Sequence, residues 1–324
     1  MTMRRAFTLT LILAALAACS TPQTASTATP SLPPPTTIFV FPSATPEIPP
    51  ATFTPTSTVV PTVGLATIPP ATTQAVNCPA VTSVSGSHGV VLVRPEDVLN
   101  IRSAPGAANS IVGTYASNEV MIAVTGATAI VDGATWVQVC DSNGMVGWVN
   151  GTYLTEFVLS GQFCEDERIT TLLDNLQTAF ATRNGDLLAA VVSPTHGVDV
   201  WLWNSGNAIN FDREHAHWVF ESTYVHNWGA HPASGMETFG SFNEAVLPEL
   251  QDAFVPSAKR RCNDGEISSY SNTWPSTYAN INFYQVYRPG TPGVEMDWNA
   301  WLVGVEYVSG NPYVFSLIHF IWTP

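Results

Sequence analysis

The sequence predicts a multidomain protein: a small all-β barrel followed by an α+β domain, both preceded by a disordered Pro/Thr-rich stalk. Three observations lead there. Charged residues make up 11% of the 324, against roughly 25% in an ordinary domain, and residues 1–76 hold just three of them, Arg4, Arg5 and Glu47. Thirteen of the 25 prolines fall between Ser20 and Val76. From residue 77 the chain changes to short alternating runs broken by turn residues, and from residue 158 helical periodicity joins them. The formal net charge of -14, with Lys259 the single lysine, excludes nucleic acid and anionic membrane surfaces as expected partners, because both are bound through clustered Lys and Arg.

Met1 to Arg5 carry two positive charges, and the uncharged apolar run Ala6 to Ala18 follows. This is the pattern of a signal peptide, too short to span a bilayer as a mature helix. It ends in Leu16-Ala17-Ala18-Cys19, which resembles the lipobox of bacterial lipoproteins. The resemblance implies removal of residues 1–18, lipidation of Cys19, and an exported chain held by lipid to the cell membrane or outer membrane, facing the periplasm or cell surface. The membrane is then a partner through the anchor only, since two or more acyl chains suffice for stable attachment.

Residues 19–76 read as the linker. Proline removes backbone donors and favours the extended polyproline conformation, so this composition forms no hydrogen-bonded core. Fully extended, at about 3 Å per residue, it would reach on the order of 150 Å.

Residues 77–157 read as the barrel. The expected strands are Val98 to Arg102, Glu119 to Val124, Thr135 to Val139 and Met145 to Val149, followed by Tyr153-Leu154, with turns at Asp132-Gly133 and around Asn143-Gly144. Leu99, Ile101, Val137 and Val139 should fill the interior. Leu99-Asn100-Ile101-Arg102-Ser103-Ala104-Pro105-Gly106, Ile111-Val112-Gly113-Thr114, Trp136-Val137-Gln138-Val139 and Gly147-Trp148-Val149 with Tyr153-Leu154 together resemble the bacterial SH3 (SH3b) family. That resemblance implies an SH3-like barrel, non-catalytic, binding peptidoglycan or other peptide ligands in some members. Asn100, Arg102, Trp136, Trp148 and Tyr153 are the groove candidates. For the two tryptophans, plugs of the core are the favoured reading, and a solvated strand face explains Asn100 and Arg102 equally well.

Residues 158–324 read as the α+β domain. Ile169, Leu172, Leu173, Leu176 and Phe180 share one helix face, which breaks at Asn184-Gly185. Asp186 is the expected N-cap of a short helix from Leu187 to Val192, Asp212 that of a helix through Phe220, and a helix interrupted by Pro248 is expected over Glu244 to Phe254. Strands are expected at Val198 to Trp203, Asn282 to Tyr287, Trp301 to Val308 and Tyr313 to Trp322, the last two joined at Gly310-Asn311. The element order is similar to the NTF2-like folds, which implies a curved sheet wrapped on helices around a pocket. In the expected hairpin Glu306, Tyr313, Phe315 and His319 lie on one face and are the pocket candidates. Glu306 and His319 would sit about four strand positions apart, and separate, satisfied polar residues are the favoured reading of the two.

With Cys19 set aside, Cys78, Cys140, Cys164 and Cys262 allow three pairings. The domain split favours Cys78 with Cys140 and Cys164 with Cys262. Catalytic and metal signatures are missing: no Asp-Cys-Ser-Gly, no His-Glu-x-x-His, and His215-Ala216-His217 places two imidazoles on different sides of a helix. His226 and His231 complete a cluster that reads as zinc-binding or, with more weight, as exposed histidines. Eight of the ten tryptophans, among them Trp201, Trp203, Trp218, Trp228, Trp298 and Trp301, lie in this domain. They suit stacking on sugar faces or a Trp-rich core; core is favoured for most. The expectation is a non-enzymatic envelope lipoprotein with no cofactor or metal, whose C-terminal domain is alternatively a small-molecule or carbohydrate sensor, or an unrecognised cell-wall-modifying enzyme.

Overall fold

A computed structural model describes residue 78 and residues 86–141, 144–267, 270–271 and 274–323. The signal peptide, Cys19 and the stalk lie outside these residues. The described residues fall in one compact unit.

The first module comprises β1 (His88–Val90), β2 (Val98–Arg102), β3 (Ile111–Ala116), β4 (Ala123–Val131), β5 (Ala134–Cys140), β6 (Val146–Asn150), a 3-10 turn at Gly151–Tyr153 and β7 (Leu154–Glu156). Five strands form an antiparallel sheet in the order β3-β2-β6-β5-β4, while β1 pairs with β7. Alternation sends Leu99, Ile101, Val139 and Val149 into a common core, with Val137 packed against it. The β4-β5 turn is Asp132-Gly133, with φ of 52° and 77°, as a two-residue hairpin loop twisted with its strands requires. The strand expected at Glu119 begins only at Ala123. Glu119 N closes a turn on Ala116 O at 3.0 Å, and Met121 has a φ of 61°, which interrupts the extended chain. Gly147 lies so close to Ile101 that an added Cβ would collide with its Cγ2.

The second module continues through α1 (Ser160–Glu165), α2 (Glu167–Thr182), α3 (Gly185–Val191), β8 (Val198–Trp201), β9 (Ala208–Phe211), α4 (Arg213–Trp218), β10 (His226–Ala230), β11 (Glu237–Gly240), a π-helical turn at Phe242–Val246, α5 (Leu247–Ala253), β12 (Lys259–Cys262), β13 (Glu266–Ile267), β14 (Tyr270–Ser271), β15 (Asn282–Arg288), β16 (Asn299–Val308) and β17 (Asn311–Ile321). A six-stranded sheet runs β12-β15-β16-β17-β8-β9, antiparallel except where β17 meets β8. The α2 stripe from Ile169 to Phe180 is buried against it. Asp166 caps α2 by accepting from Arg168 N at 3.0 Å. Asn184, not Asp186, caps α3: its Oδ1 accepts from Leu187 N at 2.9 Å, because the helix starts two residues earlier than expected and places Asp186 in its first turn.

Two local events reset the closing hairpin. Its turn is Ser309-Gly310, φ 52° and 72°, one residue before the expected Gly310-Asn311, so Val308 pairs with Asn311 and Glu306 with Tyr313. A register shift at Phe315 then pairs Gly304 with Ser316 and Trp301 with His319. The extra residue reverses the alternation. Glu306 and Phe315 therefore lie on one face and His319 on the other, against the expectation of a shared face.

The helix-facing side of the sheet carries Trp301, Val303, Val305 and Leu317 in the larger core. Its other side packs Leu302, Phe315, Ile318, Tyr278 and Ile281 against Val91 of the first module. That module thus covers the sheet's second face. Leu92, at a φ of 63°, turns the chain so that its N–H donates to Thr277 O at 2.8 Å. Asn280 Nδ2 donates to Val90 O and Glu119 O at 2.8 and 2.9 Å. The Glu156 carboxylate accepts from Ser309 N and Gly310 N at 2.6 and 2.9 Å.

Candidate functional site

Residues of β2, β5 and β6 that point away from the barrel core form the floor of a groove of about 450 Å³. Leu99 and Ile101 face inward, so Asn100 and Arg102 face outward on β2. Trp136 pairs in register with Asn150 and lies on the same outer side. Its ring is only 6% exposed, yet it lines the groove and stands apart from the barrel core. Tyr153, from the 3-10 turn, and Arg94 and Asp97, from the β1-β2 loop, supply the rim. Arg102 donates from Nη1 to Asn109 O at 2.7 Å, which ties the β2-β3 loop to the floor and fixes the guanidinium. Asn150 accepts from Thr152 N at 3.0 Å and so sets the turn that presents Tyr153.

Four of the five groove candidates, Asn100, Arg102, Trp136 and Tyr153, therefore line one cleft. Trp148 lies on the outer face beside Arg102 and Gln138 but is not part of the lining. Arg94, Asp97 and Asn150 went unnoticed in the sequence, because the β1-β2 loop has no periodicity to place it over β2. The groove offers aromatic surface, amides and both signs of charge, which suits an extended peptide carrying polar and ionised groups.

Glu306 occupies a different place. It is 2% exposed and lies at a cleft of about 520 Å³ between the modules. Ser193 Oγ donates to its Oε1, and Oε2 takes His196 Nδ1 at 2.7 Å and Thr155 Oγ1 at 3.4 Å. His196 Nε2 lies 3.0 Å from Thr152 O. Both ring nitrogens thus face acceptors, and only the imidazolium can donate to both. Burial opposes that charge, but the hydrogen bond and charge of Glu306, with the Thr152 carbonyl, outweigh it and raise the His196 pKa above its ordinary value. Ser193 Oγ accepts from Thr195 N and His196 N at 3.0 and 3.1 Å while its own hydrogen is donated to the Glu306 carboxylate. The arrangement is a buried ion pair that ties β16 to the 3-10 turn and β7.

The other pocket candidates disperse. Tyr313 lies under the Arg213 guanidinium, 4.9 Å from its ring centre. Phe315 is core. His319 is stacked at 4.5 Å on Trp301 and at 5.5 Å on Trp203, with Nδ1 donating to Leu202 O at 3.0 Å; burial holds its pKa down to about 3. His215 pairs with Asp212 at 2.7 Å and His217 with Asp186 at 2.9 Å, while His231 packs on Trp203 at 4.6 Å. No group of His, Cys, Asp or Glu among the described residues is arranged to hold a metal ion. Trp228, Trp298 and Trp301 are buried. Trp203 belongs to the larger core, and Trp201, half-buried, packs against the smaller one.

The cysteines pair as Cys78 with Cys140 and Cys164 with Cys262, at Cα separations of 5.6 and 5.7 Å. No helix among the described residues is long and apolar enough to cross a membrane. No curated protein and no solved structure matches the chain. Residues 96–156, from the approach to β2 through β7, match the bacterial SH3 domain family, and the module that carries the groove is similar to that family.

Proposed function

We propose that this chain is a non-enzymatic envelope lipoprotein, anchored through Cys19 and spaced from the membrane by residues 19–76, whose SH3 module binds a peptidoglycan stem peptide or another peptide. The observation that carries the reading is the groove itself. Most of its lining, from Asp97 to Tyr153, lies within the segment similar to bacterial SH3 domains, among which peptide or cell-wall binding is common, and Trp136, Tyr153 and Asn100 converge there with Arg94 from just before that segment. Arg94 and Arg102 suit a peptide carboxylate, and the aromatic rings suit its apolar side chains. Two disulfides accord with an oxidising, extracytoplasmic compartment. The C-terminal domain packs against the SH3 module through Val91 and Leu92; its helices on one face of a mixed sheet accord with an NTF2-like reading.

Binding is tested by co-sedimentation of the full chain with purified peptidoglycan, in competition with free stem peptides. Retention that the peptides displace supports the proposal, and failure to bind either sinks it. The anchor is tested separately: Cys19→Ala, or globomycin treatment, should release the protein from membranes or block its processing. Unchanged membrane attachment and processing would count against lipidation.

A further inference from the structure

The second module carries another cleft, of about 500 Å³, between edge strand β9, helix α4 and the start of β10. That volume is within the range of roughly 300–1,000 Å³ common to small-ligand sites. Its floor is apolar: Phe211 and Val219 are buried, and the Phe211 ring meets His226 edge-on at 5.4 Å. Two aromatic walls stand open to solvent, Trp218 at 53% and Tyr224 at 70% exposure. Neither wall is loose. The Trp218 ring is braced by His217 at 4.4 Å, itself held by Asp186 at 2.9 Å, and the Tyr224 ring rests on His226 at 4.8 Å.

The rim is polar and only partly committed. Asn210 uses its amide nitrogen on His196 O and Asp199 Oδ1, both at 2.8 Å, so it has only Oδ1 to offer a ligand. His215 spends Nδ1 on Asp212 at 2.7 Å and keeps Nε2. The Glu214 carboxylate has no hydrogen bond or ion pair among the described residues.

We propose that this cleft binds a neutral saccharide, with its pyranose rings stacked on Trp218 and Tyr224 and its hydroxyls bonded to Glu214, His215 and Asn210. A pyranose has an apolar C–H face that matches an aromatic wall, and an edge of hydroxyls that donate to carboxylate, amide and imidazole acceptors. No Lys or Arg lines the cleft, so an anionic ligand would meet Glu214 without a counter-charge. A quaternary ammonium ion would suit the aromatic rings and Glu214, but it has no donors for the other rim atoms and would leave them desolvated and unpaired.

The test is titration of the full chain with chitotriose, cellotriose and choline, followed by calorimetry and tryptophan fluorescence. At least one saccharide should bind saturably. Trp218→Ala and Tyr224→Ala should each weaken it about tenfold or more with unchanged thermal midpoints, since both rings are exposed. Tyr153→Ala, in the SH3 groove, should leave saccharide binding intact, so the two sites fail independently. The proposal is overturned if neither saccharide binds, if Trp218→Ala binds like the parent protein, or if choline alone occupies the cleft.

Discussion

Replacing Glu306 with Gln removes one charge from the pair that joins the modules and little else in volume. Glu306 and His196 expose 1% and 4% of their side chains, so neither charge is solvated by water, and removing one partner of such a pair costs about 3–5 kcal/mol. The lower end applies, because His196 can shed its proton when the carboxylate is gone and keep its Nε2–H on Thr152 O, with Nδ1 accepting from the new amide; what is then lost is the charge-assisted hydrogen bond. We expect about 3 kcal/mol less stability near neutral pH, read by urea unfolding with tryptophan fluorescence. The pH dependence has a definite sign. The folded pKa of His196 is raised, so its contribution is fully present below the unfolded value of about 6.5 and fades as pH rises through the folded value. The parent protein should therefore lose stability above neutrality by an amount that Glu306→Gln does not show. Parallel stability curves across that window, or a loss under about 1 kcal/mol, would refute the buried ion pair.

Three further outcomes follow from the fold. Cys164→Ser with Cys262→Ser opens a closure spanning 98 residues and should lower unfolding free energy by about 2–5 kcal/mol; mass spectrometry of the unreduced parent protein should find this pairing and Cys78 with Cys140. Gly147→Ala drives a methyl group into Ile101 and should cost about 1–3 kcal/mol by overpacking, visible as a lowered thermal midpoint. Asp166→Ala deletes the α2 cap and the acceptor of the Tyr307 hydroxyl, 2.7 Å away, for a loss of about 1–2 kcal/mol. Hydrogen bonding from Arg168 holds the Asp166 pKa down to about 2, so this loss should persist at mildly acidic pH and vanish only as pH falls toward that value.

The barrel interior was legible in the sequence because strand alternation alone places Leu99, Ile101 and Val139 inside, and the same alternation sends Asn100 and Arg102 outward. The α2 face and the Asp212 cap were legible for the analogous reason that their signals are local. What escaped depended on single-residue choices or on partners far apart in the chain. Asn184 and Asp186 are both good caps, and only the position where the helix begins distinguishes them. In the closing hairpin the turn lies one residue early, which leaves the faces unchanged, and Phe315 is inserted as a bulge, which sends His319 to the helix side. The Glu306-His196 pair spans 110 residues, and His196 follows a Ser-Pro step that reads only as the end of a helix. The exposure of Trp218 was equally hidden, because a tryptophan on a short amphipathic helix ordinarily reads as core.

The groove on the SH3 module is the centre of the functional account, and the most direct measurement is the affinity of the full chain for a peptidoglycan stem peptide, compared with Tyr153→Ala and Arg94→Ala. The account predicts saturable binding by the parent protein, weakened about tenfold or more by each substitution with the thermal midpoint unchanged. Binding unaffected by both substitutions, or no binding of the peptide, would contradict it.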